Sequence, residues 1–222
     1  MADFTKAYAI LAQLEGGYQA VASDRGNYVN GQLIGTNRGV AAPTLAAWLG
    51  RTPTVAEMKA LSADTAREIF RRNYWAPLLG DRIASQSLAE LLFDFAANSG
   101  VETAVYHLQR LLNAAGQRVV PDKVMGPRTL AALNATPGQP LFDQLKAERV
   151  RLYTQLASTG GRGEWLRPWL ERLDSYVFRS PRPSAARAGG GLILLLLLLL
   201  AGAALSFYPQ PVRTLLGRLF SN

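Results

Sequence analysis

Residues 4–40 read FTKAYAILAQLEGGYQAVASDRGNYVNGQLIGTNRGV, and their pattern decides the fold. Phe4, Tyr8, Leu11 and Leu14 recur at helical spacing, so the stretch opens as an amphipathic helix. Gly16-Gly17 break that pattern and leave Glu15 at the C-terminal end of the helix. Residues 18–40 lose the helical period and turn rich in Gly and Asn. Asn30-Gly31 is a turn signal, and a short β-hairpin is expected there.

Helical signals resume downstream. Thr54-Val-Ala-Glu57 has the form of a capping box, in which Thr satisfies a free amide and Glu reaches back. Ser87-Leu-Ala-Glu90 has the same form and opens LAELLFDFAANSG, a stretch apolar all round that reads as a central buried helix ending at Gly100. Further helical patterns cover 102–115, 128–134, 139–157 and 164–177.

Composition narrows the chemistry. The 222 residues allow a sizeable core. There is no cysteine, which excludes disulfides, thiolate chemistry and Cys-ligated zinc. His107 is the only histidine, so carboxylates remain as the abundant reactive groups. The net charge of +8 is uneven. Residues 179–222 hold Arg179, Arg182, Arg187, Arg213 and Arg218 and no acid, which leaves +3 for the rest. The body shows no basic stripe of the kind nucleic acid requires, and no nucleic-acid partner is expected.

The C-terminal region has its own character. Residues 179–190, RSPRPSAARAGG, read as a linker. Residues 188–208, AGGGLILLLLLLLAGAALSFY, carry no charge and are long enough to cross a ~30 Å hydrocarbon core, with the transmembrane helix itself at 191–208. Residues 209–222 form a short basic amphipathic tail. The N-terminus lacks a signal peptide's basic start and apolar core. The expected arrangement is a single-pass C-terminal anchor in the inner membrane, with the body cytoplasmic until release and acting in the periplasm. Three arginines before the span and two after it discriminate topology poorly.

A carboxylate at a helix C-terminus sits in partial negative potential, and apolar neighbours push its pKa the same way. Glu15 so placed suits a general acid that protonates a glycosidic oxygen. A solvated Glu beside a helix end is the plain alternative. Asp24 is the matching second carboxylate, or simply a turn former. The Thr36 hydroxyl can hold a water or a substrate oxygen, or merely end a strand. Tyr74 and Trp75 suit either sugar stacking or packing. Asp94 and Asn98 share a helix face and either brace the site or contact substrate. Trp48, Trp165 and Trp169 read as packing residues, and His107 as structural.

Together, Glu15-Gly-Gly-Tyr18, Asp24 with Gly26, and Thr36-Asn-Arg-Gly39-Val40 resemble the signature of the glycoside hydrolase 108 muramidases, relatives of phage endolysins and secretion-activating proteins. Tyr74-Trp75, Asp94-Phe-Ala-Ala-Asn98-Ser-Gly100, and Asp122 with Gly126-Pro-Arg-Thr129 extend the resemblance over about residues 4–175. It implies a mainly α, lysozyme-like catalytic domain at 1–100 with a small β-hairpin. A helical peptidoglycan-binding-like part at 101–178 would follow, then the transmembrane helix.

The resemblance also implies an N-acetylmuramidase that cuts the MurNAc–GlcNAc bond without a cofactor or metal. Glu15, Asp24 and Thr36 would be catalytic, and Tyr18, Asn37, Tyr74, Trp75, Asp94 and Asn98 would bind substrate. Its partners would be glycan strands, the bilayer, and a holin or secretion machinery. A lytic transglycosylase and a non-catalytic wall-binding protein are the alternatives. Two departures stand out: eleven residues separate Asp24 from Thr36 where the family pattern is short, and Lys123 stands where it has Gly.

Overall fold

In the computed structural model the structure describes residues 1–14, 16–159 and 163–180, apart from the side chains of residues 164 and 165. Glu15, most of the linker, the apolar stretch at 188–208 and the basic tail lie outside these residues. Among the described residues, no helix is long and apolar enough to cross a membrane.

The described chain is mainly helical, as the periodicity predicts. Helix α1 spans Phe4–Leu14 and buries Phe4, Ala7 and Leu11 along one stripe. Two short antiparallel hairpins follow: β1 (Tyr28–Val29) with β2 (Gln32–Leu33), and β3 (Thr36–Asn37) with β4 (Val40–Ala41). A single hairpin was expected; the region divides because both Asn30-Gly31 and Arg38-Gly39 adopt positive φ. Two successive positive-φ residues make the tight turn that suits twisted strands.

Helices α2 (Ala42–Leu49), α3 (Val55–Lys59) and α4 (Ala63–Phe70) come next, and α4 runs into a π-helical turn at Arg71–Trp75. The rest is α5 (Gln86–Ser99), α6 (Val101–Ala114), α7 (Pro127–Ala135), α8 (Gly138–Thr159) and α9 (Gly163–Asp174). Met1–Ser180 form one compact unit.

Helix α5 is the central element. Every residue from Ser87 to Ala96 is buried, as expected of a helix apolar on all sides. It packs against α1, α6, α8 and the π-helical turn. The capping box at Thr54–Glu57 forms as read. The second one does not. Ser85 caps α5, accepting from the Leu88 amide. Ser87 lies inside the helix, and its buried hydroxyl accepts from the Arg179 amide at 2.9 Å. Glu90, also buried, pairs with the Arg179 guanidinium. Arg179, read as the first linker residue, is thus docked on the body.

A buried charged network joins α5 to the C-terminal helices. Asp94 and Arg149 are both wholly inaccessible (0%). Arg149 Nη2 donates to Asp94 Oδ2 at 2.6 Å, and Arg172 Nε donates to Asp94 Oδ1 at 2.7 Å. Burial, then the nearby Asp94 charge, pushes the Tyr176 phenol up. A second cluster lies between α6 and α8, where His107 Nδ1 and Glu148 Oε1 are 2.7 Å apart and Arg151 also donates to Glu148. Partial burial raises the Glu148 pKa, but the His107 and Arg151 hydrogen bonds outweigh it and hold the carboxyl below the ordinary glutamate value.

Candidate active site

The site is built around Asn27, a residue the motif reading passed over. Asn27 is fully buried (0%) and both ends of its amide are engaged. Its Nδ2 donates to Gln19 Oε1 at 2.8 Å and to the Val21 carbonyl at 3.0 Å. Its Oδ1 accepts from Gln19 Nε2 at 3.1 Å and from Thr36 Oγ1 at 2.7 Å. Its backbone amide donates to the Asp24 carbonyl, and its own carbonyl accepts from both Ile34 and Gly35. One residue therefore holds Asp24 and Thr36 within a single hydrogen-bond step of itself.

This resolves the long spacing between Asp24 and Thr36. The additional residues leave as the β1–β2 hairpin, and Asn27 pinches its base. A buried Asn with partners for all its polar groups is an expensive and highly specific arrangement. Its only sequence signal is an Asn in a turn-rich stretch.

The segment after Glu15 is fixed to the same cluster. Gln19 and Thr36 exchange backbone hydrogen bonds of 2.9 and 2.8 Å as an isolated antiparallel bridge. Tyr18 donates from its hydroxyl to the Ile34 carbonyl, and the Lys59 ammonium lies 5.0 Å from its ring centre. Gly35 (φ +98°) is the close-approach point: a Cβ there would sit 2.5 Å from the Gln19 carbonyl oxygen and 2.7 Å from the Tyr18 ring. Only glycine fits both the backbone angle and the space.

Asp24 caps the 3-10 turn at Arg25–Asn27, accepting from the Gly26 amide through Oδ1 at 2.9 Å. Among the described residues, Oδ2 takes no hydrogen bond. The Thr36 hydroxyl gives its proton to Asn27 and keeps acceptor lone pairs for a further donor, such as a water.

Thr36 and Asn37 are neighbours on β3 and so face opposite sides. Thr36 meets the Asn27 cluster. Asn37 lines an open cleft of about 270 Å³ together with Tyr8, Ala12, Gly16, Gly17, Arg38 and Ala63. The Asn37 amide nitrogen is already committed to the Met58 and Lys59 carbonyls, anchoring β3 to α3.

The remaining predicted binding residues divide. Trp75 does not face solvent: it is 1% exposed, packs edge-on to Phe93, and donates its indole N–H to Asp81. No sugar can stack on it there. Tyr74 is half-buried against Phe70. Asp94 is likewise corrected from a binding to a bracing residue, because both its oxygens are occupied by arginines and none of its surface reaches solvent. Asn98 is exposed and its amide donates back to the Asp94 carbonyl, the ordinary i to i−4 direction. Among the described residues, no cluster of three or more His, Asp and Glu could hold a metal ion.

In the C-terminal part, Asp122 accepts from Gln109 at 2.7 Å and from the Val124 amide, and these bonds hold its pKa below the ordinary aspartate value. Lys123 has φ +68°, which accounts physically for glycine at that position in the motif it resembles.

The Asp24 backbone and the Thr36 hydroxyl are both tied to Asn27, in the segment that follows helix α1 in the chain. Residues 8–100 match the model of glycosyl hydrolase 108, and residues 103–174 match that of a predicted peptidoglycan domain. The chain is also similar to the structure of Brucella abortus SagA, with a TM-score of 0.63 and 32% identity over 82% of this chain and 97% of that one. No curated protein matches it. The protein is therefore a glycoside hydrolase that acts on peptidoglycan. It belongs to the glycosyl hydrolase 108 family.

Proposed function

We propose that this peptidoglycan hydrolase is an N-acetylmuramidase that cleaves the MurNAc–GlcNAc bond with Glu15 as general acid. Glu15 directly follows α1 in the chain, and the two residues after it lead into the bridge between Gln19 and Thr36. Protonation of the glycosidic oxygen by Glu15 lets the leaving sugar depart as an alcohol. Asp24, with one oxygen free of protein hydrogen bonds among the described residues, stabilises the cationic sugar or takes a proton from water. Thr36 accepts a hydrogen bond from that water. The observation that carries this reading is the Asn27 clamp, which binds the Asp24 backbone and the Thr36 side chain at once.

Glu15→Gln tests it on purified sacculi. The variant is expected to lose lytic activity by about 10²-fold or more, within the ordinary range for a general acid. Retention of full activity would reject Glu15. Mass analysis of products separates hydrolysis from transglycosylation: reducing ends are expected, and anhydro ends would favour the transglycosylase reading. We further propose that residues 188–208 tether the enzyme to the inner membrane for wall lysis or secretion. In spheroplasts, protease attack on residues 1–178 from outside would overturn a cytoplasmic placement of the body.

A further inference from the structure

The cleft on the Asn37 side of β3 is bordered by Gly16 and Gly17, the two residues that follow the proposed acid Glu15 in the chain. Among its described lining residues Arg38 alone is charged. Arg38 occupies the first position of the β3–β4 turn with φ +50°, in the left-handed region that Asn, Asp or Gly fill more cheaply. An arginine there carries a backbone cost of about 1 kcal/mol, and such cost concentrates where a side chain is used.

The guanidinium is aimed rather than loose. Nε donates to the Leu61 carbonyl at 3.1 Å, which fixes the group where the chain enters α4. The four other N–H bonds, on the two terminal nitrogens, have no partner among the described residues. Ala63, the first residue of α4, also lines the cleft, with Asp64 next to it in the first turn of the helix.

Peptidoglycan supplies a matching anion. Its muramic acid carries a lactyl group, which ends in a carboxylate or continues into a peptide stem that bears carboxylates. Gly16 and Gly17 line the cleft, and the chain they begin reaches the Gln19–Thr36 bridge on the opposite face. The cleft thus borders the segment that leads from the proposed acid to the Thr36 bridge. A stem of three residues extends about 10 Å.

We propose that Arg38 is a specificity-determining residue that binds a carboxylate of the muramic side chain or its stem, in the cleft bordered by Gly16 and Gly17. This rests on the muramidase reading, because it places the scissile sugar at Asp24 and Thr36.

The test uses the full-length chain and three strand preparations. Intact sacculi carry stem carboxylates. Strands stripped by an amidase carry lactyl carboxylates. Stripped strands whose lactyl groups are capped as methylamides carry neither. Arg38→Gln is expected to lose about tenfold or more in kcat/KM, through KM, on a carboxylate-bearing preparation. Its loss on capped strands should be at least fivefold smaller. Whichever preparation shows the loss identifies the carboxylate. Arg38→Lys, which keeps the charge, should recover most of the discrimination, with thermal melting confirming that both variants fold. For the wild type, higher salt should raise KM on carboxylate-bearing strands more than on capped ones. Equal loss on all three preparations, no loss on any, or a salt effect blind to capping would overturn the proposal. Failure of the muramidase reading is registered separately: full activity of Glu15→Gln removes Glu15 from the chemistry but leaves the capping ratio of Arg38→Gln to be read directly. Cosedimentation of wild type and Arg38→Gln with the three preparations reads the same ratio without turnover.

Discussion

Replacing Arg149 by Met should be the most damaging single change outside the site. The side chain is inaccessible to solvent and its guanidinium contacts residues of both α5 and α8. Nη2 donates to Asp94 Oδ2 and to the Tyr153 hydroxyl, each at 2.6 Å, and the group lies 5.0 Å from the Phe95 ring centre and 5.4 Å from that of Tyr153. Methionine replaces the stem of the side chain but not its charge. Among the described residues, Asp94 would then be buried with Arg172 as its remaining cationic partner. Breaking a buried pair by removing one member costs roughly 3–5 kcal/mol. Arg172, hydrogen-bonded at 2.7 Å, offsets part of this, so about 3 kcal/mol is expected. That is a large share of a total stability of about 5–15 kcal/mol.

Urea denaturation followed by circular dichroism measures the effect. With a slope of about 2 kcal/mol per molar, the midpoint should fall by about 1.5 M. Asp94→Leu added to Arg149→Met removes the stranded carboxylate as well, and should recover part of the loss, since apolar replacement of a buried pair is often neutral. A midpoint shift under ~0.3 M for Arg149→Met would refute the reasoning, because it would mean that losing Arg149 leaves no costly unpaired charge at Asp94.

Other outcomes follow from the site and its supports. Asn27→Ala strands the Gln19 amide and the Thr36 hydroxyl and should destabilise the protein by about 2–4 kcal/mol, with a larger loss of lytic activity than Thr36→Ala; equal or smaller loss in paired assays would argue against the clamp. Gly35→Ala forces a Cβ against the Gln19 carbonyl and the Tyr18 ring; a fall in melting temperature together with lost activity is expected, and wild-type behaviour in both would show that the β1–β2 base is not tight. Glu148 has a folded pKa below its unfolded value of ~4.3, so its stabilisation is present above that value and lost as pH falls through the depressed folded one. Urea midpoints at pH 7 and pH 3.5 should therefore differ less for Glu148→Gln than for the wild type.

Much of the fold was legible because it follows from local periodicity. The stripe of Phe4 and Leu11 places α1, the all-round apolar LAELLFDFAA requires a buried helix, and Thr54 with Glu57 caps α3 by local chemistry alone. The motif order marked Asp24 and Thr36 as candidates, and the comparisons support the family that this order resembles.

Other features depended on contacts across long sequence distances. No periodicity in 18–40 shows that Asn27 fastens Gln19, Asp24 and Thr36 together, because the clamp exists only when three separated segments meet. Trp75 and Asp94 look alike to a reader of motifs, as exposed binders or buried supports. Packing of Trp75 against Phe93 and pairing of Asp94 with Arg149, 55 residues away, decide between the two. Residue type and local spacing were set by the sequence, whereas burial and partnership became determinate only once the chain had folded, because solvent exposure is a property of the assembled core and not of any segment within it.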